Sequence, residues 1–539
     1  MMKKKLSAVL SASLTIALLA GCGGSGTNEN AGSGAAEIEK TTPDSYPIQT
    51  DKTLTYWCDL SGHVSTHAKS LNETPFAENL AKKTGIKVEF IHPAAGGSGQ
   101  ANEQFNLMIA SGELPDIIES DWANYPGGPE RAMDENIILD LTKVFEKVSP
   151  NITKFYEEHP DYKKQVETVS GKLYHYPFIL GDDKLMTYIG PMIRQDLLDR
   201  AGMEMPETID EWDAVLRKFK SMGIETPLVM RIDNKNLQNV SPFMACYKIA
   251  GGFYVDNGKV KYGPYEPAFK DYVMQLAAWY KDGIFDNNFM DTDSKRITAL
   301  VASGNVGAAF GSGGGDFGKW IPALKQLVPE ADFEPLKYPT AEKGTTPMYG
   351  QKNLPLGTFG AAISGTSENV ELAARLLDYG YSEEGHMFYN FGVEGESYEM
   401  KDGIPCYTDI VTDEKKNGGL AIGGGIGKYA RASYNGPFVQ DVHYLDQFYS
   451  LDEQKAAVGL WSDTDTLEHK IPSGLLTDEE NNEYTTIIQD IDTFREAEFY
   501  KLITGKSTDF DGYFSQLKDR GIERAIEIQQ QAYDRYKAR

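Results

Sequence analysis

The chain has 539 residues, with 79 acidic side chains against 53 Lys and Arg, for a formal net charge of −26. That balance excludes a nucleic-acid-binding surface, which demands basic patches. With 41% hydrophobic residues there is enough chain to fill two sizeable cores.

The first element is an export signal. MMKKK is basic, the run Leu6 to Ala20 is apolar but too short for a permanent membrane helix, and small residues follow at a cleavage point. The ending Leu19-Ala20-Gly21-Cys22 resembles the lipobox of bacterial lipoproteins. It implies removal of 1–21 and a diacylglyceryl group on Cys22, with two or three acyl chains giving stable membrane attachment. Residues 22–50 are rich in Gly, Ser and Asn, and are expected to be a flexible tether. No later run is long and apolar enough to span a bilayer. Beyond Cys22 stand only Cys58, Cys246 and Cys406, an odd and widely spaced trio. Free buried thiols are expected, with one disulfide as the alternative.

From Leu54 strands and helices alternate. "TLTYW" reads as a strand, "TPFAENLAKKTG" as a helix stopped by Gly85, and "IKVEFI" as the next strand. "NEQFNLMIASG" is a second amphipathic helix and "LPDIIES" a third strand. This succession predicts a mostly parallel sheet, with ligands beyond the strand ends, in the loops after Trp57 and Ile118. Thr208 and Glu211 form a capping box, and Trp212, Val215, Leu216 and Phe219 follow at helical spacing. "AFKDYVMQLAAWYKDGIF" is another helix, "LGTFGAAISG" a return strand, and the tail from Asp509 looks like two short helices. Trp212 and Trp279, within amphipathic helices, are expected in the core.

Motifs for catalysis and cofactors fail on their surroundings. Gly313, Gly315 and Gly318 spell G-x-G-x-x-G, but Asp316 in the turn would repel a pyrophosphate. "GGGIGKY" lacks the first glycine and the Ser/Thr of a phosphate loop, and reads as a flexible loop. His63 and His67 have no third ligand, so no metal site is expected. There is no G-x-S-x-G elbow, and no local sequence supports a pair of glycosidase carboxylates. Aromatic residues at strand ends and in loops are more informative, because ring faces stack on sugar C–H faces while Asp and Asn bond hydroxyls. Trp57, Trp122, Tyr125, Phe317 and Trp320 are such aromatics. Asp59 and Asp121 lie beside the first two, Ser312 and Asp316 beside the others.

Several stretches together resemble the solute-binding lipoproteins of bacterial ABC importers, especially the carbohydrate-oriented group (family 1) of Gram-positive bacteria. They are "LAGC", "FNLMIASGELPDII", "GKLYHYPF", "IRQDLLDRAGMEMPETIDEWDAVLRKFK", "LAAWYKDGIFDNNF", "ALVASGNVGAAFGSGGG" and the segment Phe494 to Tyr536. The resemblance implies an α/β, two-lobed periplasmic-binding-protein fold of type II-like connectivity, with the ligand in a cleft between lobes joined by crossing hinge strands. The lobes would be 51–180 with 351–401, and 181–350 with 402–539. Crossings are expected near 177–184, near 350–358 and near Asp402. It places Trp122 and either Phe317 or Trp320 at the cleft, with Ser312 and Asp316 as polar contacts; Tyr434, in the stretch 401–468 that matches the family poorly, is a further expected contact. It implies a monomer on the outer face of the cytoplasmic membrane, without cofactor, that hands a sugar or oligosaccharide to permease subunits. A peptide receptor and an exported polysaccharide-degrading enzyme are the alternatives. Some relatives carry a calcium loop after the capping-box helix; "KFKSMGIETPL" stands there instead, so no calcium is expected.

Overall fold

Short β-rich runs sort into two main sheets and two hairpins, packed by amphipathic helices, in a computed structural model that describes residues 38–93, 98–230, 242–289 and 293–539. The export signal and Cys22 lie outside the described residues. In chain order the strands are β1 (Thr53–Trp57), β2 (Lys87–Ile91), β3 (Ile117–Asp121), β4 (Tyr176–Leu180), β5 (Ile189–Arg194), β6 (Thr226–Val229) and β7 (Phe253–Asp256). They continue as β8 (Lys259–Tyr262), β9 (Val306–Ser312), β10 (Phe333–Pro335), β11 (Leu356–Ile363), β12 (Tyr398–Lys401), β13 (Ile404–Tyr407) and β14 (Val439–Gln440).

The first lobe is built on a six-stranded sheet in the order β14-β4-β11-β3-β1-β2, the second on a four-stranded sheet ordered β10-β5-β9-β6. Both are mixed rather than mostly parallel. β11 arrives from the second lobe and so runs antiparallel to both its neighbours, β3 and β4, while β5 pairs antiparallel with β9 and β10.

Local signals set most of the helices. Gly85 ends the helix Pro75–Thr84 with φ of 76°, and a Cβ there would stand 2.0 Å from the Ile48 carbonyl oxygen. Thr208 and Glu211 make both bonds of the capping box ahead of the helix Ile209–Ser221. Trp212 and Trp279 are fully buried in the second lobe's core with Phe243 and Phe310, and Trp279 Nε1 donates to Asp213 at 2.7 Å. The tail forms the helices Phe510–Asp519 and Ile522–Ala538, which pack with Asp478–Ile503 on the same core.

The chain leaves the first sheet after β4 and enters the second at β5, crossing at 181–188, and returns between β10 and β11 at 336–355. Asp402 occupies the turn of the β12–β13 hairpin, and β14 still pairs with β4, so the chain stays with the first sheet through Gln440. It passes to the second lobe beyond that point, through the helices Val442–Phe448 and Asp452–Ser462. The first two crossings are tied together: Thr187 Oγ1 donates to the Gln351 carbonyl at 2.6 Å, and Asn353 N donates to the Met186 carbonyl at 2.7 Å.

One glycine-rich segment and part of the expected tether fold differently from their composition. "GGGIGKY" lies in a helix, Ile422–Tyr429, because a helix without side chains on one face can approach the His63 ring and the Val411 carbonyl closely. Residues 38–50 are not free. Ile38 and Ile48 are buried, Thr41 and Thr42 amides donate to Glu371 at 2.8 and 2.7 Å, and Arg375 Nη2 donates to the Asp44 carbonyl at 2.7 Å. Cys58 and Cys246 are buried and Cys406 half-buried, all unpaired. No helix among the described residues is long and apolar enough to cross a membrane.

Candidate functional site

Between the two lobes runs a groove made of two adjoining cavities. The first, of about 410 Å³, is walled by β4 (Phe178, Leu180), by the return crossing and β11 (Tyr349, Asn353 to Phe359), and by Phe253 and residues 470–473 of the second lobe. The second, of about 340 Å³, shares Phe253, Ile471, Pro472 and Ser473, and continues past Gly127 to Pro129 towards Tyr484 and Gln529. Both volumes lie in the range of small-molecule sites. Beside the groove the lobes touch: Arg539 Nη1 donates to the Glu167 carbonyl at 3.1 Å, and the Lys164 ammonium sits 4.7 Å from the Tyr536 ring centre.

The lining is aromatic and neutral. Phe178, Phe253, Phe359 and Tyr484 are half-buried, leaving part of each ring free for a ligand. Gln165, Asn353, Thr358, Asn435 and Ser473 supply amides and hydroxyls. Among the described lining residues there is no Asp, Glu or His, and Lys470 is the single charged residue. Burial pushes the Lys470 ammonium down to about 8 and the Tyr349 phenol up to about 12.

None of the residues expected at the site lines these cavities, and burial explains several of them. Trp122 is completely buried: a short 3-10 turn after β3 folds the indole back under β11, where Nε1 donates to the Gly360 carbonyl at 3.1 Å and Phe105 packs edge-on. Trp57 and Tyr125 pack in the same cluster, and Tyr125 OH donates to Glu135 at 2.6 Å. Phe317 and Trp320 are also buried, against each other and against Phe333 and Trp461. Trp320 Nε1 donates to Thr298 at 3.0 Å. Ser312 and Asp316 bond each other, Ser312 N and Oγ donating to the Asp316 carboxylate at 2.8 and 3.0 Å, so they brace a turn. A Cβ on Gly314 would stand 2.9 Å from the Phe448 ring, so this glycine makes room for the helix Val442–Phe448 rather than for a ligand.

Asp59 and Tyr434 do come together, around a void of about 10 Å³ that also touches Ser61, Arg431 and Ser433. It has room for one water, not a sugar ring. Beneath it the Arg431 guanidinium donates to the buried Glu119 carboxylate at 2.9 and 3.2 Å, and Tyr56 OH donates to the same carboxylate at 2.7 Å. Burial works against the Arg431 charge, and Glu119 more than offsets it. Burial, then the Glu119 charge, pushes the Asp59 carboxyl up. Asp121 acts at one remove: its carboxylate accepts a hydrogen bond from Thr358 Oγ1, and Thr358 lines the first cavity.

The lining residues that sequence reasoning passed over had one visible signal. Phe178 lies inside "GKLYHYPF", the stretch that leads into the first crossing, and every second residue of β4 points to the same side. Phe253 comes from a hairpin, Lys470 from a connecting segment and Tyr484 from the helix Asp478–Ile503, and none of them carries a ligand-binding motif. Among the described residues no group of three His, Cys, Asp or Glu side chains converges as for a metal ion.

Comparison with known proteins places this architecture. The family model described as bacterial extracellular solute-binding protein matches residues 68–387. The fructooligosaccharide ABC transporter substrate-binding protein FusA of Streptococcus pneumoniae is 24% identical over 567 residues, covering 99% of this chain and 98% of its own. Its structure in complex with kestose superposes with a TM-score of 0.68, at 21% identity over 90% of this chain and 100% of that one. Lipoprotein LipO of Bacillus subtilis is 22% identical over 85% of this chain and 86% of its own. An HMO-binding, ABC-transporter-associated solute-binding protein from Bifidobacterium longum infantis gives a TM-score of 0.72, at 19% identity over 90% of this chain and 99% of that one. With more than half of its length matched by the family model, the chain belongs to the bacterial extracellular solute-binding protein family.

Proposed function

We propose that the protein is the ligand-capturing subunit of an ABC importer. It closes on a sugar or oligosaccharide in the interlobe groove and hands it unchanged to permease subunits. The carrying observation is the lining: partly exposed ring faces of Phe178, Phe253, Phe359 and Tyr484 set among neutral amides and hydroxyls. Ring faces stack on the C–H faces of sugars, and the polar groups fix the hydroxyls. Asp121 holds the Thr358 hydroxyl in place for such a contact. FusA, named for fructooligosaccharide and solved with kestose, and the HMO-binding Bifidobacterium protein support a carbohydrate ligand. Glycoside cleavage uses two carboxyl groups flanking the bond, and the described lining residues of the groove include none, in keeping with a carrier rather than a hydrolase. The sequence around Cys22 and the lipoprotein relative support lipid anchoring on the outer face of the cytoplasmic membrane, where the protein would act as a monomer. Two lobes joined by paired crossings suit hinge closure around the ligand.

The test is a thermal-shift screen of the mature protein against oligosaccharides and peptides, since a ligand that binds only the folded state raises its melting temperature. Chromatography of the incubated sugars accompanies it. A shift with sugars and no new chain ends is expected. A shift with peptides alone, or any sugar turnover, overturns the reading.

A further inference from the structure

The charge of the groove is the reverse of the charge of the molecule. Among the described residues, a chain with 79 acidic side chains presents no carboxylate to either cavity, while one of its 53 basic side chains lines the larger one. Lys470 is half-buried, follows the short helix Thr466–His469, and among the described residues has no hydrogen-bond or ion-pair partner. Asp256 of the neighbouring hairpin is paired with Lys261 at 2.7 Å, and His469 Nδ1, at the end of that helix, is 2.7 Å from the Val255 carbonyl oxygen. An ammonium taken out of water without a partner is costly, and the cost is offset when an anion meets it. Beside it stand Asn353, Asn435 and Ser473, which suit a carboxylate's remaining lone pairs or adjacent sugar hydroxyls.

We infer that the groove selects an acidic sugar, an oligosaccharide bearing a uronic-acid carboxylate, and that this carboxylate docks on the Lys470 ammonium in the larger interlobe cavity. The inference rests on the carbohydrate reading and narrows it. A neutral sugar would leave the ammonium unpaired under the ligand; a cationic ligand would meet it with repulsion. A peptide's terminal carboxylate offers the same charge, without the saturated rings that the flanking aromatic faces stack on.

The experiment compares oligogalacturonate, oligoglucuronate and oligomannuronate with their carboxyl-reduced, neutral counterparts and with short peptides, by calorimetry on the wild type and on Lys470→Met. At least one acidic oligosaccharide should bind the wild type about 10- to 100-fold more tightly than its neutral counterpart. Lys470→Met should erase that preference while keeping the weaker neutral binding. Its ligand-free melting temperature should hold or rise, which separates lost recognition from lost folding. Neutral sugars binding as well as acidic ones, or Lys470→Met keeping the preference, overturns this inference and leaves the carbohydrate reading standing. Binding of peptides alone overturns both.

Discussion

The side-chain carbonyl of Gln351 accepts the backbone amides of both Tyr188 and Ile189, at 2.7 and 3.1 Å, and so joins the outgoing crossing to the returning one. Gln351 is buried, so water cannot replace that acceptor. Replacing it by leucine strands two amide donors at about 1–3 kcal/mol each. Gln351→Leu should unfold at clearly lower urea concentration, whereas Gln351→Glu, which keeps the acceptors, should lose less. Equal midpoints for the two variants would refute a role for this bond in holding the crossings.

Trp461 lies flat on Gly190, where an added Cβ would stand 2.3 Å from the indole. The indole nitrogen also donates to the Pro191 carbonyl at 3.1 Å. Gly190→Ala should cost about 1–3 kcal/mol by overpacking and Trp461→Ala about 3–5 kcal/mol by cavity formation. The double variant should cost less than the two together, because the alanine methyl then faces the space the ring vacated. Chemical denaturation of the four proteins measures this.

Trp122 and Phe253 separate stability from recognition. Trp122→Ala empties a fully buried site and should cost about 3–5 kcal/mol of stability. Phe253→Ala, at a half-buried ring shared by both cavities, should weaken sugar binding with a smaller loss of stability. Paired thermal melts and binding isotherms decide it. Loss of affinity in folded Trp122→Ala, with Phe253→Ala unaffected, would return the site to the loop after β3.

This contrast marks how far the sequence could be read. The Thr208–Glu211 capping box and the stop at Gly85 are written within a few residues, and both form as their spacing predicts. The direction of an aromatic ring is not local. Trp122 follows a strand, as a ligand-stacking residue would, but the 3-10 turn rolls it under β11, a strand more than 200 residues later. The glycines at 313 and 314 likewise answer to Tyr449 and Phe448, far along the chain. Phe317 and Trp320 are enclosed for a physical reason: the space those glycines leave is filled by the protein itself. The groove's aromatic character was legible as a kind of chemistry, but its members were not, because they come from four separated segments.

Ligand affinity should depend on pH through Lys470. Burial holds its ammonium near about 8 in the free protein, and the only other titratable groups lining the described groove are Tyr349 and Tyr484, both pushed up by burial. Binding of a carboxylate favours the charged lysine, so affinity is full below about pH 7 and falls as pH rises through 8, approaching tenfold per unit. Isotherms from pH 6 to 9.5 test this. A flat profile for an acidic sugar would remove Lys470 from the contact.

Asp378 should leave a pH signature in stability. Burial pushes its carboxyl up to about 6, although the amides of Ile152 and Asn151 donate to it at 2.9 and 3.3 Å. In the unfolded chain an aspartate titrates near 3.9, so folding favours the protonated form. That contribution is present below about pH 4 and is lost as pH rises through 6. Stability of the wild type minus that of Asp378→Asn should fall by about 2 kcal/mol between pH 4 and 7. Parallel denaturation curves at the two pH values measure the difference.

The clasp on residues 41–46 decides where mechanical force enters the molecule. Glu371 and Arg375, on one helix of the first lobe, grip the chain before it reaches β1, and Tyr46 OH donates back to the Arg375 carbonyl at 2.6 Å. A pull on the segment ahead of Thr41 is taken up by that helix and spread into the first lobe's core. Neither the crossings nor the second lobe lies on this route. Closure of the proposed kind would therefore turn the second lobe about a first lobe that takes the load, and would leave the groove free of tension from the chain ahead of it.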